Sequence, residues 1–340
     1  MRKMENKTHE EASIINVSSL TCIDLANPNF HQSAASLKQA CQDCGFFYVT
    51  NHGISEELRE NAFAQSKKFF ALPLEEKLKV LRNEKHQGYS PVLSQMSDNQ
   101  IHGDFKESFF IGIEGSIDGG LHSHIPFCRP NIWPNPDVLP GWRDTMEKYH
   151  QEALRVCKAI ARVLALALNV EEDYFDKPEM LRNPLAFMRL IHYEGDVLWM
   201  SDPSKGIYGC GPHSDFGMMT LLATDNVMGL QICKDKEVQP RKWEYVPPIK
   251  DAYIVNIGDL LERWSNGIFK STLHRVLGNG QDRYSIALFL QPCHDCLVEC
   301  LPTCQSENSP PKYQAIKCST YLTQRYQESQ VDLSINQKQT

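Results

Sequence analysis

The chain has 340 residues, 41% hydrophobic and 23% charged, a balance that supports a packed core and excludes an intrinsically disordered chain. Nineteen Gly and nineteen Pro are ordinary globular usage, which excludes collagen-like and low-complexity sequence. With 42 acidic against 35 basic residues the net charge is −7, so there is no basic surplus for phosphates and no nucleic acid is expected as a partner.

The start, Met1 to Ala12, has no apolar stretch of the signal-peptide kind. The longest Leu/Ala/Val run, Val163 to Leu168, falls far short of the ~18 residues of a membrane span. These features predict a soluble, cytoplasmic protein with no membrane partner and with free thiols at its twelve Cys. The polar first dozen residues and those from Gln327 to Thr340 are expected to be mobile ends.

In chain order, Ser33 to Cys44 carries apolar residues at helical spacing, Ser55 opens a second helix with Glu56 and Glu57 in its first turn, and Pro73 starts a short third. One strand, Gly45 to Thr50, interrupts this half. From Trp142 to Asn169 apolar residues recur every three to four positions, a long core-facing helix. After Pro184 the pattern changes to short β-like runs: 186–193, 218–223, 230–233, 243–246, 252–257, 274–276 and 283–291, with a single helix at Asp259 to Ser265. Many short strands at this spacing suggest a sandwich or jelly roll, and without a long linker the helices are expected to buttress it.

Chemistry concentrates in three places. His213 and Asp215 stand two apart, and on a strand such residues share a face, so an imidazole and a carboxylate project together. His274 follows 59 positions after Asp215. Two imidazoles and one carboxylate form the facial triad that holds non-haem Fe(II) and leaves positions open. Nine residues further, Arg283 and Ser285 form another same-face pair, suited to gripping a carboxylate by two parallel hydrogen bonds and a third from the hydroxyl. Cys293 to Cys296, with Cys300 and Cys304, has the spacing of half a zinc knuckle, but the spacing does not repeat, and thiols are expected there instead. His52 reads as a turn residue.

From Ile15 to Tyr326 the chain resembles the plant and fungal 2-oxoglutarate/Fe(II)-dependent dioxygenases related to isopenicillin N synthase. The resemblance rests on Gly45 to Ile54, Phe69 to Pro73, Gly88-Tyr89, Lys106 to Phe109 and Asn131 to Pro134 in the first half. In the second half it rests on His213 to Asp215, Asn256 to Asp259, Ser265 to Gly267, His274 to Val276 and Arg283 to Ser285. It implies an α+β fold with a double-stranded β-helix (jelly-roll) core buttressed by N-terminal helices. Residues 15–182 would form a mostly helical region with one core strand, 183–292 the catalytic core, and 293–340 an extension packed on it.

It further implies that His213, Asp215 and His274 ligate iron, that Arg283, Ser285 and Tyr193 bind 2-oxoglutarate, and that Arg189 and Phe289 face the substrate. The implied activity is oxidation of a small organic metabolite by O2, most commonly hydroxylation, with release of succinate and CO2. The enzyme would be a monomer using Fe(II), 2-oxoglutarate, O2 and ascorbate as reductant. Where relatives often have Asn, Tyr, Tyr, Pro, this chain has Ile191, His192, Tyr193 and Glu194, so the polar surroundings of the iron should differ. Glu194 to Tyr208 looks longer than usual and is expected to face substrate. Two other readings stay open: an iron oxidase of the same fold that does not use 2-oxoglutarate, and a non-catalytic small-molecule binder.

Overall fold

The computed structural model describes residues 16–83, 87–94, 103–112, 130–195 and 200–329. The polar first dozen residues, most of the C-terminal tail and Val197 to Trp199 of the expected substrate loop lie outside the described residues. The helices are α1 (Phe30–Asp43), α2 (Glu56–Phe70), α3 (Leu74–Leu78), α4 (Trp142–Ala167), α5 (Asp259–Trp264) and α6 (Cys318–Ser329). The strands are β1 (Cys22–Asp24), β2 (Phe46–Thr50), β3 (Gly88–Ser90), β4 (Glu107–Ile111), β5 (Leu185–Tyr193), β6 (Cys210–His213) and β7 (Met219–Thr224). They continue with β8 (Leu230–Cys233), β9 (Glu244–Tyr245), β10 (Tyr253–Ile257), β11 (Leu273–Val276), β12 (Arg283–Gln291), β13 (Leu297–Val298) and β14 (Ile316–Lys317).

Local chemistry sets the helix ends. The Asn29 side chain accepts from the Gln32 amide at 3.1 Å, and Ser55 Oγ accepts from Leu58 N at 3.2 Å, capping α1 and α2. Glu56 and Glu57 at one end of α2 and Lys67 and Lys68 at the other complement its dipole. Between α1 and β2 the chain reverses at Gly45, with φ +63; a Cβ there would lie 1.9 Å from the Lys270 carbonyl oxygen, so only glycine fits.

Two sheets face each other. The larger has the order β1-β2-β10-β7-β12-β5-β4-β3 and the smaller β6-β11-β8-β9. Along β12, Ile286, Leu288 and Leu290 join the main core with α4 residues Met146, Tyr149, Ala153 and Ile160. The alternate residues of the larger sheet, including Phe46, Tyr48, Ile191, Tyr193 and Ile254, pack inward with Leu230, Ile232 and Val276 of the smaller one. This strict alternation makes one face of the sheet the helix-covered core and the other the lining of the jelly roll. The α+β jelly roll buttressed by helices is therefore the observed fold.

The elements differ from the sequence reading in several places, the short strands β6, β13 and β14 among them. Among the described residues the first half holds four strands, not one: β1 and β3 are only three residues long, too short to show a period of two, and β4 opens on Glu107, whose carboxylate is buried in hydrogen bonds. A second helix, α6, follows α5; its buried Cys318 and Leu322 give it too sparse an apolar stripe to announce itself. Asp215 lies beyond the end of β6, so strand pleating is not what sets it beside His213.

Candidate active site

His213 ends β6, and its register partner across the ladder is His274 on β11. Neighbouring strands thus bring together two imidazoles separated by 61 positions in the chain, with ring centroids 4.2 Å apart. Asp215 enters from the turn after β6, where its carbonyl oxygen accepts from Asp259 N at 2.8 Å as α5 begins. A Cβ on the adjoining Gly258 would lie 2.9 Å from that same carbonyl oxygen, so the close approach depends on glycine. Asp215 Oδ1 lies 3.7 Å from Nε2 of each histidine. Among the described residues these three form the one cluster of potential metal ligands, with donor atoms within 4.8 Å of one another.

The surrounding hydrogen bonds select the lone pairs that face inward. His213 Nδ1 donates to the Gly211 carbonyl at 2.8 Å and His274 Nδ1 to that of Thr272 at 3.0 Å, so in the neutral form of each ring the lone pair is on Nε2. Asp215 Oδ2 accepts from Thr220 Oγ1 and, at 2.7 Å, from Asn256 Nδ2, leaving Oδ1 for the centre. Burial opposes ionisation of Asp215, but the two imidazoles and these two donors outweigh it and hold the carboxyl below its usual range. Burial, then the charge on neighbouring His213, push His274 down to about 4, so it stays a neutral donor; burial is outweighed at His213 by Cys210 and Asp215, which raise it to about 9, so this ring would release its Nε2 proton to take a metal. Two imidazole nitrogens and one carboxylate oxygen converging in this way match the donor chemistry of a non-haem Fe(II) site with open positions.

Along the inner face of β12, Arg283 pairs with Tyr193, Ser285 with Ile191, Ala287 with Arg189 and Phe289 with Phe187. Arg283 is 4% exposed, donates from Nε to the Val227 carbonyl at 3.3 Å, and keeps Nη1 buried with no hydrogen-bond partner among the described residues. An orphaned buried guanidinium donor costs stability unless an acceptor completes it, and a carboxylate fits. Ser285 lies two residues along the same face, and Tyr193 sits beneath the guanidinium.

At the opposite end of this face Phe187 and Phe289 stack 4.8 Å apart, with Phe110 and Tyr326 against them. Arg189 lies 4.6 Å over the Phe110 ring and donates to Ser108 Oγ at 3.1 Å. Phe289 is also the register partner of Thr220, the residue that supports Asp215. The described parts of Glu194 to Tyr208 dock at the Arg283 end: Gly195 N donates to Asp282 Oδ1, and Ser201 Oγ accepts from Gly278 N at 2.8 Å.

Some supporting residues were not anticipated from the sequence. Thr220 offered no signal, whereas Asn256 stood inside a motif that carried the resemblance. Ile191, where relatives often have Asn, is buried among apolar residues, and the polar support of the centre comes through Thr220 and Asn256. His52 takes a local role, its Nδ1 accepting from Ile54 N. The Cys293 thiol donates to the Glu179 carbonyl at 2.8 Å.

Residues 15–136 match the family described as "non-haem dioxygenase in morphine synthesis N-terminal", and residues 185–292 match the 2OG-Fe(II) oxygenase superfamily. The chain is 49% identical to "Kihadalactone A synthase LFS" of Citrus sinensis, over 97% of this chain and 98% of that protein. It is 46% identical to "Azadirone synthase LFS" of Melia azedarach, over 94% of each. Among solved structures, a full-length Neurospora crassa protein in complex with alpha-KG and 5-formyluracil superposes with a TM-score of 0.76 at 31% identity, covering 90% of this chain and 95% of that one. These relatives favour 2-oxoglutarate use over both alternative readings. The chain belongs to the 2-oxoglutarate/Fe(II)-dependent oxygenases, as an oxidoreductase that uses O2 and 2-oxoglutarate to oxidise a small organic molecule.

Proposed function

We propose that His213, Asp215 and His274 hold the Fe(II), that Arg283 and Ser285 bind the far carboxylate of 2-oxoglutarate with Tyr193 lining its site, and that Arg189 and Phe289 contact the substrate. The observation that carries this reading is the convergence of the two Nε2 atoms and Asp215 Oδ1 on one point, inside the jelly roll whose facing larger sheet holds the orphaned Nη1 of Arg283. When bound, iron, 2-oxoglutarate and O2 would together supply the oxidative decarboxylation to succinate and CO2 that drives oxidation of a substrate C–H bond, with hydroxylation the outcome proposed here. The protein's own contribution is geometric. Gly211 and Thr272 fix the imidazoles, Thr220 and Asn256 orient the carboxylate, and Arg283 sets the register of the dicarboxylate.

The aromatic wall of Phe110, Phe187, Phe289 and Tyr326 favours an apolar skeleton, and Arg189 beside it favours an oxygen acceptor on that skeleton. With the names of the two plant relatives, this supports a specialised metabolite akin to the precursors of kihadalactone A or azadirone. We assign residues 15–182 to the buttressing region, 183–292 to the catalytic core and 293–340 to an extension on it. The enzyme is proposed to act as a cytoplasmic monomer with ascorbate as reductant and without nucleic acid. No helix among the described residues is long and apolar enough to cross a membrane.

The test is anaerobic titration of the apoprotein with Fe(II) and then 2-oxoglutarate, followed by the visible charge-transfer absorption of a chelated 2-oxo acid. A band in the wild type that weakens in Arg283→Ala supports the assignment. Iron binding without a band would remove 2-oxoglutarate from the site, and no iron binding would remove the ligand set.

A further inference from the structure

A second cluster of buried charge lies behind the centre, contributed by the first half of the chain. Asp104 and Lys106, 2% and 5% exposed, form an ion pair just before β4. Asp104 Oδ2 takes the Lys106 ammonium, while Oδ1 accepts from the Gly211 amide at 2.9 Å. Gly211 is the residue whose carbonyl accepts from His213 Nδ1 at 2.8 Å. Lys106 Nζ also donates to Cys210 Sγ at 2.9 Å, and Cys210 is 7% exposed. The segment carrying the pair is itself pinned: the Asp104 carbonyl accepts from Leu93 N at 3.0 Å, and Phe105 N donates to the Tyr208 carbonyl at 3.0 Å.

Burying a lysine and an aspartate costs several kcal/mol per ion before their attraction is counted, and such a pair adds little net stability over apolar residues of the same size. What it does supply is a fixed direction. Here the carboxylate fixes the N–H of Gly211, whose C=O fixes the imidazole, so the orientation of His213 depends on a carboxylate 109 positions earlier in the chain. Metal-binding imidazoles depend on such outer contacts for ring direction and basicity, and losing one lowers metal affinity roughly 10- to 100-fold.

We infer that Asp104, held in place by Lys106, is a positioning residue that sets His213 for metal binding through Gly211. The inference rests on the proposed ligand set of His213, Asp215 and His274. It adds that the buttressing half of the protein is part of the metal-site machinery, with Lys106 holding Asp104 and also Cys210, whose Sγ lies 3.8 Å from His213 Nδ1.

The experiment is anaerobic titration of apoprotein with Co(II), read as affinity and as the visible ligand-field spectrum, with circular dichroism and thermal melting as folding controls. Asp104→Ala is expected to bind Co(II) about 10- to 100-fold more weakly than wild type with an altered spectrum. Asp104→Asn keeps an oxygen for the Gly211 amide and should recover part of both. Lys106→Met should weaken binding less.

Wild-type affinity and spectrum in a folded Asp104→Ala protein overturn the inference. A lowered melting temperature with unchanged Co(II) spectrum marks a merely structural role and overturns it too. If Asp104→Ala does not fold, Asp104→Asn and Lys106→Met decide by the same readings. His213→Ala separates the two levels: wild-type Co(II) binding there overturns the ligand set itself, whereas lost binding there beside an unchanged Asp104→Ala overturns only the positioning role.

Discussion

Arg283 and Tyr193 are register partners across the β5–β12 ladder, and the guanidinium carbon stands 5.0 Å from the centre of the phenol ring. The ring holds the cation from one side and the Val227 carbonyl holds Nε, so the fork has a single direction in which to meet a carboxylate. Removing it in Arg283→Ala is expected to raise the KM for 2-oxoglutarate by roughly 30- to 150-fold, the equivalent of about 2 to 3 kcal/mol for one charge-assisted contact. Arg283→Lys should recover only part, because an ammonium lacks the two-pronged geometry. Steady-state assays of succinate release check both, and an unchanged KM would return Arg283 to a structural role.

The far end of the same face should show the opposite pattern. Phe289→Ala removes a stacked ring from the aromatic wall. The KM for the organic substrate should rise while that for 2-oxoglutarate stays within about twofold, since one buried aromatic contact contributes roughly 1 to 3 kcal/mol. Equal shifts in both constants would show that the wall supports the whole site and not the substrate alone.

Asp215 owes its orientation to Thr220, so Thr220→Val, which keeps the shape and removes the hydroxyl, should weaken Fe(II) binding by about tenfold. Thr220→Ser should restore it. Anaerobic competition with a chelator measures both, and equal affinities in all three proteins would mean that Asn256 alone suffices.

His192, on the helix-facing side of β5, lies between two carboxylates: Nδ1 is 2.8 Å from Glu107 Oε1 and Nε2 is 2.8 Å from Asp282 Oδ1. Burial alone would lower its pKa, but the two carboxylates outweigh that and raise it above the ordinary 6.5. A histidine whose pKa is higher folded than unfolded contributes its full stability below about pH 6.5 and loses it as pH climbs through the raised value. Burial works against ionised Glu107 too, yet His192, Lys77 and Tyr89 hold its pKa down, so its contribution is present above about pH 4.5 and lost as pH falls through that lowered value. Thermal melts should therefore decline above neutrality in the wild type and much less in His192→Gln. Parallel profiles would show that the imidazole is not charged in the folded protein.

Trp142 opens α4 fully buried, its indole Nε1 donating to the Gln65 carbonyl at 3.0 Å, with Phe69, Phe109 and Trp133 around the ring. Trp142→Ala should cost about 3 to 5 kcal/mol in chemical denaturation. A loss under about 1 kcal/mol would mean that the cluster closes over the gap.

Residue type and order made the site legible before its geometry was. His213, Asp215, His274, Arg283 and Ser285 could be picked out because few other pressures put those groups at that spacing, and β12 does place the last two on one face. The reason assigned to the first pair was different from the observed one, since Asp215 arrives from a turn braced by α5. Thr220 could not be singled out, because a threonine in a strand has no mark that separates a ligand's support from ordinary packing. Asp104 and Lys106 lie more than a hundred positions from His213, and a link that passes through a backbone amide has no side-chain pattern to read. Short β1 and β3 and the sparse stripe of α6 carried too little periodicity to distinguish them from loops.

The larger sheet has a consequence for how the polypeptide is made. Strands β10 and β5 border β7 and β12, and each is covered by a strand from the first half, β2 on one side and β4 on the other. Residues 183–292 expressed alone would expose two open strand borders, which attract other chains and favour aggregation. During synthesis the first half emerges earlier, and its β2 and β4 have no sheet to join until the later strands appear. The long α4, which α1 and α2 pack against, can give that waiting half something to gather on, so the order in which the ribosome releases the two halves suits the order in which they are needed.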